Sequence, residues 1–336
     1  MIRILIDVEH DPAHLAALEA VEGVEVRIAD ISDTPRELPA SMIGDIDVLF
    51  CTHPPTNADA MRSLRWIQIA SSGYAQLLPH DLPSRHIRAT NARGCFDVPI
   101  AEWNIGMMIN LHRDVPQMLR NQTAHAWDRA RWFANELRGS TVGLWGYGGL
   151  ARETARLAKS MGLRVHVLAR NGVRPAQHIY RTAGTGDPEG ALPDRVFTAG
   201  NELAFLRTLD FLILAMPLTP QTEGIVRDEH LEALPRHAFV LNPARGPLIR
   251  QESLLRALDE GWIAGAALDT HYQYPLPPEH QLWSYPNVIL TPHISGTSIS
   301  PPFRARIWEL FLENVRRFKS NDRLLNELTV DNLRGL

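Results

Sequence analysis

The residues that speak most directly to chemistry are Gly146-Tyr147-Gly148-Gly149-Leu150-Ala151. They form a G-x-G-x-x-A turn in which each small residue has a mechanical task. Gly146 permits a tight turn, Gly148 lets the backbone approach a bulky anion, and Ala151 lets a helix pack closely on a strand. Unpaired amides and the positive dipole end at the start of that helix would hold a dinucleotide pyrophosphate, with Tyr147, Gly149 and Leu150 completing the cradle. A lone glycine turn is unspecific. This one follows the apolar run Val142–Trp145 and opens a segment with Leu150, Ala151, Ala155, Leu157, Ala158 and Met161 at its apolar positions. Leu163–Leu168 follows Gly162 as a second strand, which completes a βαβ unit.

The nucleotide is partly legible as well. NAD-binding units usually carry Asp or Glu about 20 residues past the first glycine, where it bonds the ribose 2′-hydroxyl. Here the second strand runs into Ala169-Arg170-Asn171, and no carboxylate occurs between Glu153 and Asp187. Arg170, Arg174 and Arg181 stand there instead, and guanidinium groups hold a 2′-phosphate in bidentate fashion. Arg170 and Asn171 are therefore read as cofactor-binding, and NADP(H) is favoured, with NAD(H) as the alternative. The competing reading makes these arginines a solvated loop.

The elements that must position this unit extend along the whole chain. Its 336 residues suit two domains. Ile2–Ile6, Val24–Ile28, Val48–Phe50 and Ile67–Ala70 read as strands and Pro12–Ala20 as a helix. Ser71-Ser72-Gly73-Tyr74 makes a small-residue turn at a strand's carboxyl end, where open α/β sheets bind ligands. Ile100–Leu119 is an apolar helical run, broken or kinked near Pro116. Trp127 and Trp132 follow, either overhanging a cleft or simply packing. Residues 171–200 read as a long irregular connection. Phe211–Ala215, Phe239–Leu241, Ala264–Leu268 and Val288–Leu290 read as further parallel strands, with helices at Asp228–Leu234 and Gln251–Glu260 between them. A terminal helix covers Phe303–Phe318. This alternation predicts an α/β fold with doubly wound parallel sheets.

Composition removes several function classes. A formal charge of −4 offers no basic face for nucleic acid. No apolar run approaches the roughly 18 to 20 residues needed to span a membrane. Arg3 and Asp7 flank only a strand-length apolar run, so no signal peptide is read. Cys51 and Cys95 have neither metal-ligand spacing nor a disulfide framework. No metal is expected, and a reducing cytoplasm is.

Beyond the fingerprint, the chain contains Leu214-Ala215-Met216-Pro217-Leu218-Thr219-Pro220, Asn242-Pro243-Ala244-Arg245-Gly246 and Thr291-Pro292-His293-Ile294-Ser295-Gly296. Asn91-Ala92-Arg93-Gly94 with Ala101-Glu102 adds a hinge-like pattern. With these motifs the chain resembles the D-isomer-specific 2-hydroxyacid dehydrogenase family over nearly its whole length. In placing Arg where NAD users have Asp, it is similar to the glyoxylate and hydroxypyruvate reductases.

The resemblance implies a Rossmann cofactor domain, residues 104–294, inserted in a flavodoxin-like substrate domain of residues 1–103 and 295–336. It implies that Arg245 clamps the carboxylate and keto oxygen of a 2-oxo acid, and that His293 is the acid that protonates the carbonyl oxygen. Backbone amides around Ser72 and Gly73 would hold the substrate carboxylate. Met216, Pro217, Thr222, Pro243, Ala244, His293 and Gly296 would lie along the cofactor, and Asp269 would bond the nicotinamide carboxamide. A homodimer through the helices near 101–120 is implied too, although the apolar Trp103–Leu111 run suits a buried helix equally well.

One position departs from the family pattern. The family carries Glu before the proline that follows the Asp269 segment, where it orients the catalytic His and raises its pKa. Here Tyr274 precedes Pro275. A phenol can orient an imidazole but does not stabilise imidazolium as a carboxylate does. His293 would then work with a lower pKa, or Glu279 or Glu102 would substitute, or the chemistry has changed. The leading reading is an NAD(P)-dependent reductase of a small 2-oxo acid. The alternatives are an oxidoreductase of the same fold acting on a non-standard carbonyl or imine, and a non-catalytic dinucleotide-binding sensor or scaffold.

Overall fold

Short apolar runs bounded by turn residues fold here as parallel strands, the central ones buried on both faces. The computed structural model describes residues 1–32, 34–130, 135–298 and 300–334. Trp132 lies outside the described residues, and Trp127 is 90% exposed.

In chain order, β1 (Ile2–Asp7), α1 (Pro12–Glu19), β2 (Val24–Ile28), α2 (Ala40–Ile43), β3 (Val48–Cys51), β4 (Trp66–Ile69) and β5 (Arg88–Thr90) come first. Helices α3 (Asp97–His112) and α4 (Val115–Thr123) lead to β6 (Thr141–Trp145), α5 (Gly149–Ser160), β7 (Arg164–Leu168) and β8 (Arg195–Phe197). Next are α6 (Glu202–Leu206), β9 (Phe211–Leu214), α7 (Asp228–Glu232), β10 (Phe239–Asn242), α8 (Gln251–Asp259), β11 (Gly265–Leu268) and β12 (Val288–Leu290). The chain closes with α9 (Pro301–Lys319) and α10 (Val330–Leu333). These elements group into two units. The first holds Met1–Phe96, His178–Thr182 and Ser298–Leu336, and the second holds Asp97–Gln177 and Ala183–Thr297.

The first unit is built on a parallel sheet of order β2-β1-β3-β4-β5. That is the doubly wound order in which the chain reverses direction between β1 and β3. Alternate residues serve opposite faces: Ile4, Ile6, Phe50 and Trp66 meet α9, while Leu5, Leu49, Ile67 and Ile69 fill the other side. On the α9 side, Phe311 stacks on Phe50 at 4.2 Å between ring centroids and on Trp66 at 5.4 Å. A buried polar chain ties the same helix to the sheet. Trp66 Nε1 donates to Thr90 Oγ1 (2.8 Å), Thr90 Oγ1 to Gln68 Oε1 (2.7 Å), and Asn314 Nδ2 to Gln68 Oε1 (3.2 Å).

The second unit has the parallel order β12-β11-β10-β9-β6-β7-β8. Counted from β6 this is the dinucleotide-binding order, with its reversal between β6 and β9. Ligands of open α/β sheets bind at the carboxyl ends beside such a reversal. Among the described residues, no helix is long and apolar enough to cross a membrane and no cluster could hold a metal.

One expectation needs correction: the connection 171–200 is not wholly irregular. The helical run of 100–119 breaks near Pro116 into two helices, α3 and α4, separated at Arg113 and Asp114. Asp114 takes a left-handed φ of 48° and caps α4 by accepting from Gln117 N, so Pro116 opens a new helix instead of kinking an old one. The connection 171–200 contains β8, and its residues 178–182 belong to the first unit. The first divide between units falls at Phe96/Asp97, where α3 begins as a single helix held on α5. Buried Asn104 Nδ2 donates to Thr154 Oγ1 at 3.0 Å there.

Replacing Phe311 by Ala should remove the ring at the centre of the α9 cluster. We expect a loss of about 3–5 kcal/mol, read as a lower urea midpoint for unfolding of the first unit with unchanged secondary structure before the transition.

Candidate active site

The fingerprint turn sits at the reversal point. Gly146 has φ of +99°, and a Cβ there would lie 2.7 Å from Ala215 O at the end of β9. Its amide donates to Leu168 O at the end of β7 (2.8 Å). Only glycine satisfies both the left-handed backbone and the close approach. Gly148 then caps α5 in extended conformation with no side-chain cap of its own, and the first-turn amides of α5 face the turn. Ala151 is fully buried against the sheet. The donor set and its glycine-made clearance fit a dinucleotide pyrophosphate.

A knot of buried charge secures the segment beyond β7. Arg152, 8% exposed, lies 4.8 Å over the Tyr147 ring. It donates to Tyr147 O (3.3 Å), to Arg174 O (2.5 Å) and to Asp187 O. Asp187, 4% exposed, accepts from Tyr147 Oη (2.6 Å) and from the amides of Ala191 (2.9 Å) and Leu192 (3.0 Å). Burial opposes ionisation of Asp187, but these donors outweigh it and hold the carboxyl below its usual range. The Tyr147 phenol is driven strongly upward, first by burial and then by the Asp187 carboxylate. Buried Glu153 accepts from Gly186 N (2.5 Å) and pairs with Arg156 (2.6 Å). Against this anchored segment, Arg170 and Asn171 stand exposed just after β7. Arg174 is exposed in the same unit, while Arg181 belongs to the first.

The loop after β9 presents Met216, half-buried, and Pro217, exposed. Thr222 is engaged within this loop: its Oγ1 donates to Pro217 O (2.7 Å) and accepts from Thr219 N (2.8 Å). These bonds shape the loop from within. After β10, Pro243 and Ala244 are buried. Asn242 fixes the turn by accepting from the amides of Ala244 (3.1 Å) and Arg245 (3.2 Å) and by donating to Arg245 O (2.8 Å). Arg245 is exposed, with Nη1 on Ala244 O at 2.6 Å. A Cβ on Gly246 would lie 2.6 Å from the His271 backbone, so the Arg245 turn is seated directly on the loop after β11.

Asp269 organises the loop that carries His293. It is 0% exposed. Its Oδ1 accepts from Thr291 Oγ1 (2.6 Å) and Ile294 N (2.9 Å), and its Oδ2 from Ser295 N (3.0 Å) and Ser295 Oγ (2.5 Å). A carboxylate offers about four lone-pair sites, and all are engaged. Asp269 thus ties the His293 loop to the end of β11. His293 has φ of 57°, and its amide donates to Thr291 O (3.0 Å). Half-buried Gly296 ends the motif.

The His293 ring reaches solvent, yet the surrounding protein shifts its titration. Burial lowers its pKa first, and the Arg245 guanidinium lowers it further. Asp269 opposes the shift and His271 adds to it. Tyr274 faces the ring, with centroids 5.5 Å apart at 48°. The Tyr274 hydroxyl accepts from His271 N at 3.1 Å. The His271 ring, 6.2 Å from that of Tyr274, is buried, with Nε2 on Thr291 O (2.8 Å). A carbonyl partner requires the proton on Nε2 and leaves Nδ1 as an acceptor; Nδ1 has no partner among the described residues. Exposed Glu102 and Glu279 make no hydrogen bond or ion pair with His293 among the described residues.

Ser72 and Gly73 lie in the first unit, exposed in the loop after β4. Ser71 Oγ donates to Gly73 O (2.8 Å), Asn91 Nδ2 to Ser72 O (2.7 Å), and Gln76 Nε2 to Ser71 Oγ (2.7 Å). These bonds fix the carbonyls and leave the loop's shape set before any ligand arrives.

Several residues of this framework escaped the sequence reading. Asn242, Gln76 and His271 act through backbone groups, and Arg152, Glu153 and Asp187 meet only in three dimensions. The one signal available was a pair of adjacent charges, Arg152-Glu153, on a helix face that buries both.

Residues 105–295 match the model for the D-isomer specific 2-hydroxyacid dehydrogenase NAD binding domain. The chain is 31% identical over 304 residues to a glyoxylate reductase of Thermofilum pendens, covering 88% of this chain and 85% of that protein. Among solved structures it is similar to a D-isomer specific 2-hydroxyacid dehydrogenase from Xanthobacter autotrophicus in complex with NADPH and MES. That similarity has a TM-score of 0.78 and 25% identity, covering 98% and 99% of the two chains. An NADPH-dependent glyoxylate/hydroxypyruvate reductase from Sinorhizobium meliloti in complex with NADP and sulfate gives a TM-score of 0.76 at 25% identity, with 100% of both chains covered. With its sheet orders, fingerprint turn and His293 loop, the chain belongs to the D-isomer specific 2-hydroxyacid dehydrogenase family and is a nicotinamide-dinucleotide-dependent oxidoreductase that reduces 2-oxo acids to 2-hydroxy acids.

Proposed function

We propose that the chain is an NADP(H)-preferring reductase of a small 2-oxo acid of the glyoxylate or hydroxypyruvate kind. The observation that carries the reaction is an exposed guanidinium, Arg245, electrostatically coupled to an exposed imidazole, His293; the Arg245 turn is seated on the His271 backbone, and the His271 ring bonds the His293 loop at Thr291 O. Arg245 supplies a planar fork of donors for the substrate carboxylate and keto oxygen. His293 gives its proton to the carbonyl oxygen as the carbon is reduced. The hydride is supplied by the nicotinamide when it is bound. Tyr274 holds the imidazole in place of a carboxylate, and the amides around Ser72 and Gly73 take the substrate's carboxyl end. Met216, Pro217, Pro243, Ala244, His293 and Gly296 lie along the cofactor, whose pyrophosphate rests on the turn from Gly146 to Leu150. The first unit is then the substrate domain and the second the dinucleotide domain.

The NADP(H) preference is supported by Arg170. It stands exposed after β7, while the next carboxylate along the chain, Asp187, is buried under Tyr147 where a ribose hydroxyl could not reach it. A homodimer through α3 and α4 is supported by exposed Ile109 and Leu119, and a cytoplasmic setting by Cys51 and Cys95, buried and outside any disulfide.

Arg245→Ala should lower kcat/KM for glyoxylate reduction by about 10²–10³-fold while leaving dinucleotide affinity unchanged; steady-state kinetics with a parallel binding titration check this. Arg170→Ala should weaken NADPH binding by about tenfold and leave NADH binding as it was. Equal affinity of the wild type for both dinucleotides would sink the preference. The pH dependence has a definite sign. Reduction needs protonated His293, and its pKa is lowered from 6.5, so kcat/KM for reduction should decline as pH rises through a midpoint below 6.5. Tyr274→Glu puts a carboxylate beside the ring and should move that midpoint to higher pH; a profile that does not move would remove Tyr274 from the site.

A further inference from the structure

Gly149 is a glycine without a backbone reason. Its φ lies outside the left-handed region, so any residue could adopt its conformation. What a side chain there would have to displace is the Asp97 carboxylate. A Cβ on Gly149 would lie 2.6 Å from Asp97 Cγ and 2.8 Å from Oδ1, with Oδ2 closer still. The carboxylate of the first residue of α3 therefore lies against the first residue of α5. The bond from Asn104 Nδ2 to Thr154 Oγ1, 3.0 Å, holds α3 along α5 and fixes this arrangement. Helix α5 has no acidic residue in its own first turn and no side-chain cap, so Asp97 is the carboxylate brought to that end from outside the helix.

We propose that Asp97 is an internal anion at the pyrophosphate end of α5 that weakens dinucleotide binding. This rests on the dinucleotide reading of the fingerprint turn. An anion at a helix N-terminus is stabilised by the unpaired amides and the dipole, and a pyrophosphate is drawn to the same groups. With Asp97 ionised, the arriving phosphates meet a terminus already partly neutralised and a like charge beside it. The effect acts on the part of the ligand that NADH and NADPH share, so it sets affinity without selecting between them. Gly149 is the complementary feature: its missing side chain leaves room for the carboxylate.

The test uses the full chain and two variants, Asp97→Asn and Asp97→Ser, with dissociation constants for NADPH and NADH from fluorescence titration at low ionic strength. Circular dichroism and urea midpoints establish that each variant is folded. Both dinucleotides should bind about tenfold more tightly to at least one folded variant, with the ratio of the two constants unchanged and the gain shrinking in high salt. Folded variants whose constants for both are unchanged or weaker would overturn the proposal and leave the dinucleotide reading intact. A gain for NADPH alone would overturn it too, since that places the charge near the 2′-phosphate. Absence of binding by the wild type and both variants would overturn the dinucleotide reading itself, and this proposal with it.

Discussion

A carboxylate sealed from water must be met by donors or give up its charge. Asp269 is met by Thr291, Ile294 and Ser295, and the loop carrying His293 takes its shape from that requirement. Between Thr291 and Ile294 the chain must bend tightly enough to present donors on both sides of His293 to one residue. The left-handed backbone at His293 follows from this geometry. The same carboxylate partly offsets the Arg245 guanidinium, so one buried charge both positions the imidazole and moderates its titration. Gly246 completes the assembly by letting the Arg245 turn sit on the His271 backbone.

The opposite side of the second unit relies on the same physics with more partners. Arg152, Glu153 and Asp187 bury their charges by gripping the connection between β7 and β8 at Arg174, Gly186 and Leu192. Removing one partner of such a network strands the others in low dielectric, which is costly. The connection is therefore ordered around its anchors even though its sequence reads as loop. The charges left at the surface, above all Arg170, are the ones free to meet a phosphate.

Much of this was readable from the chain. The βαβ fingerprint, the strands at 24–28 and 288–290, and the terminal helix follow from periodicity and turn residues, and the sheets have the predicted parallel, doubly wound form. Strands β5 and β8 were missed because each opens on an arginine and has too few apolar residues to stand out, unlike the wholly apolar β12. The break between α3 and α4 is set by Asp114 in a left-handed cap, a role its neighbours do not announce. The bonds that Asp269 and Thr222 make within their own loops were not legible. Their motif position was visible, but which backbone groups converge on a buried polar side chain was not. Convergence of that kind, like the meeting of Asp97 with Gly149, exists only in the folded chain.

The central claim is that this chain, with Tyr274 in place of a carboxylate beside His293, reduces a 2-oxo acid. The most direct measurement is oxidation of NADPH by the purified wild-type protein with glyoxylate and hydroxypyruvate, alongside chemical detection of the 2-hydroxy acid formed. The account predicts turnover at mildly acid pH, with one hydroxy acid produced for each NADPH consumed. NADPH binding without any turnover from pH 5 to 8, the range where imidazoles titrate, would contradict it.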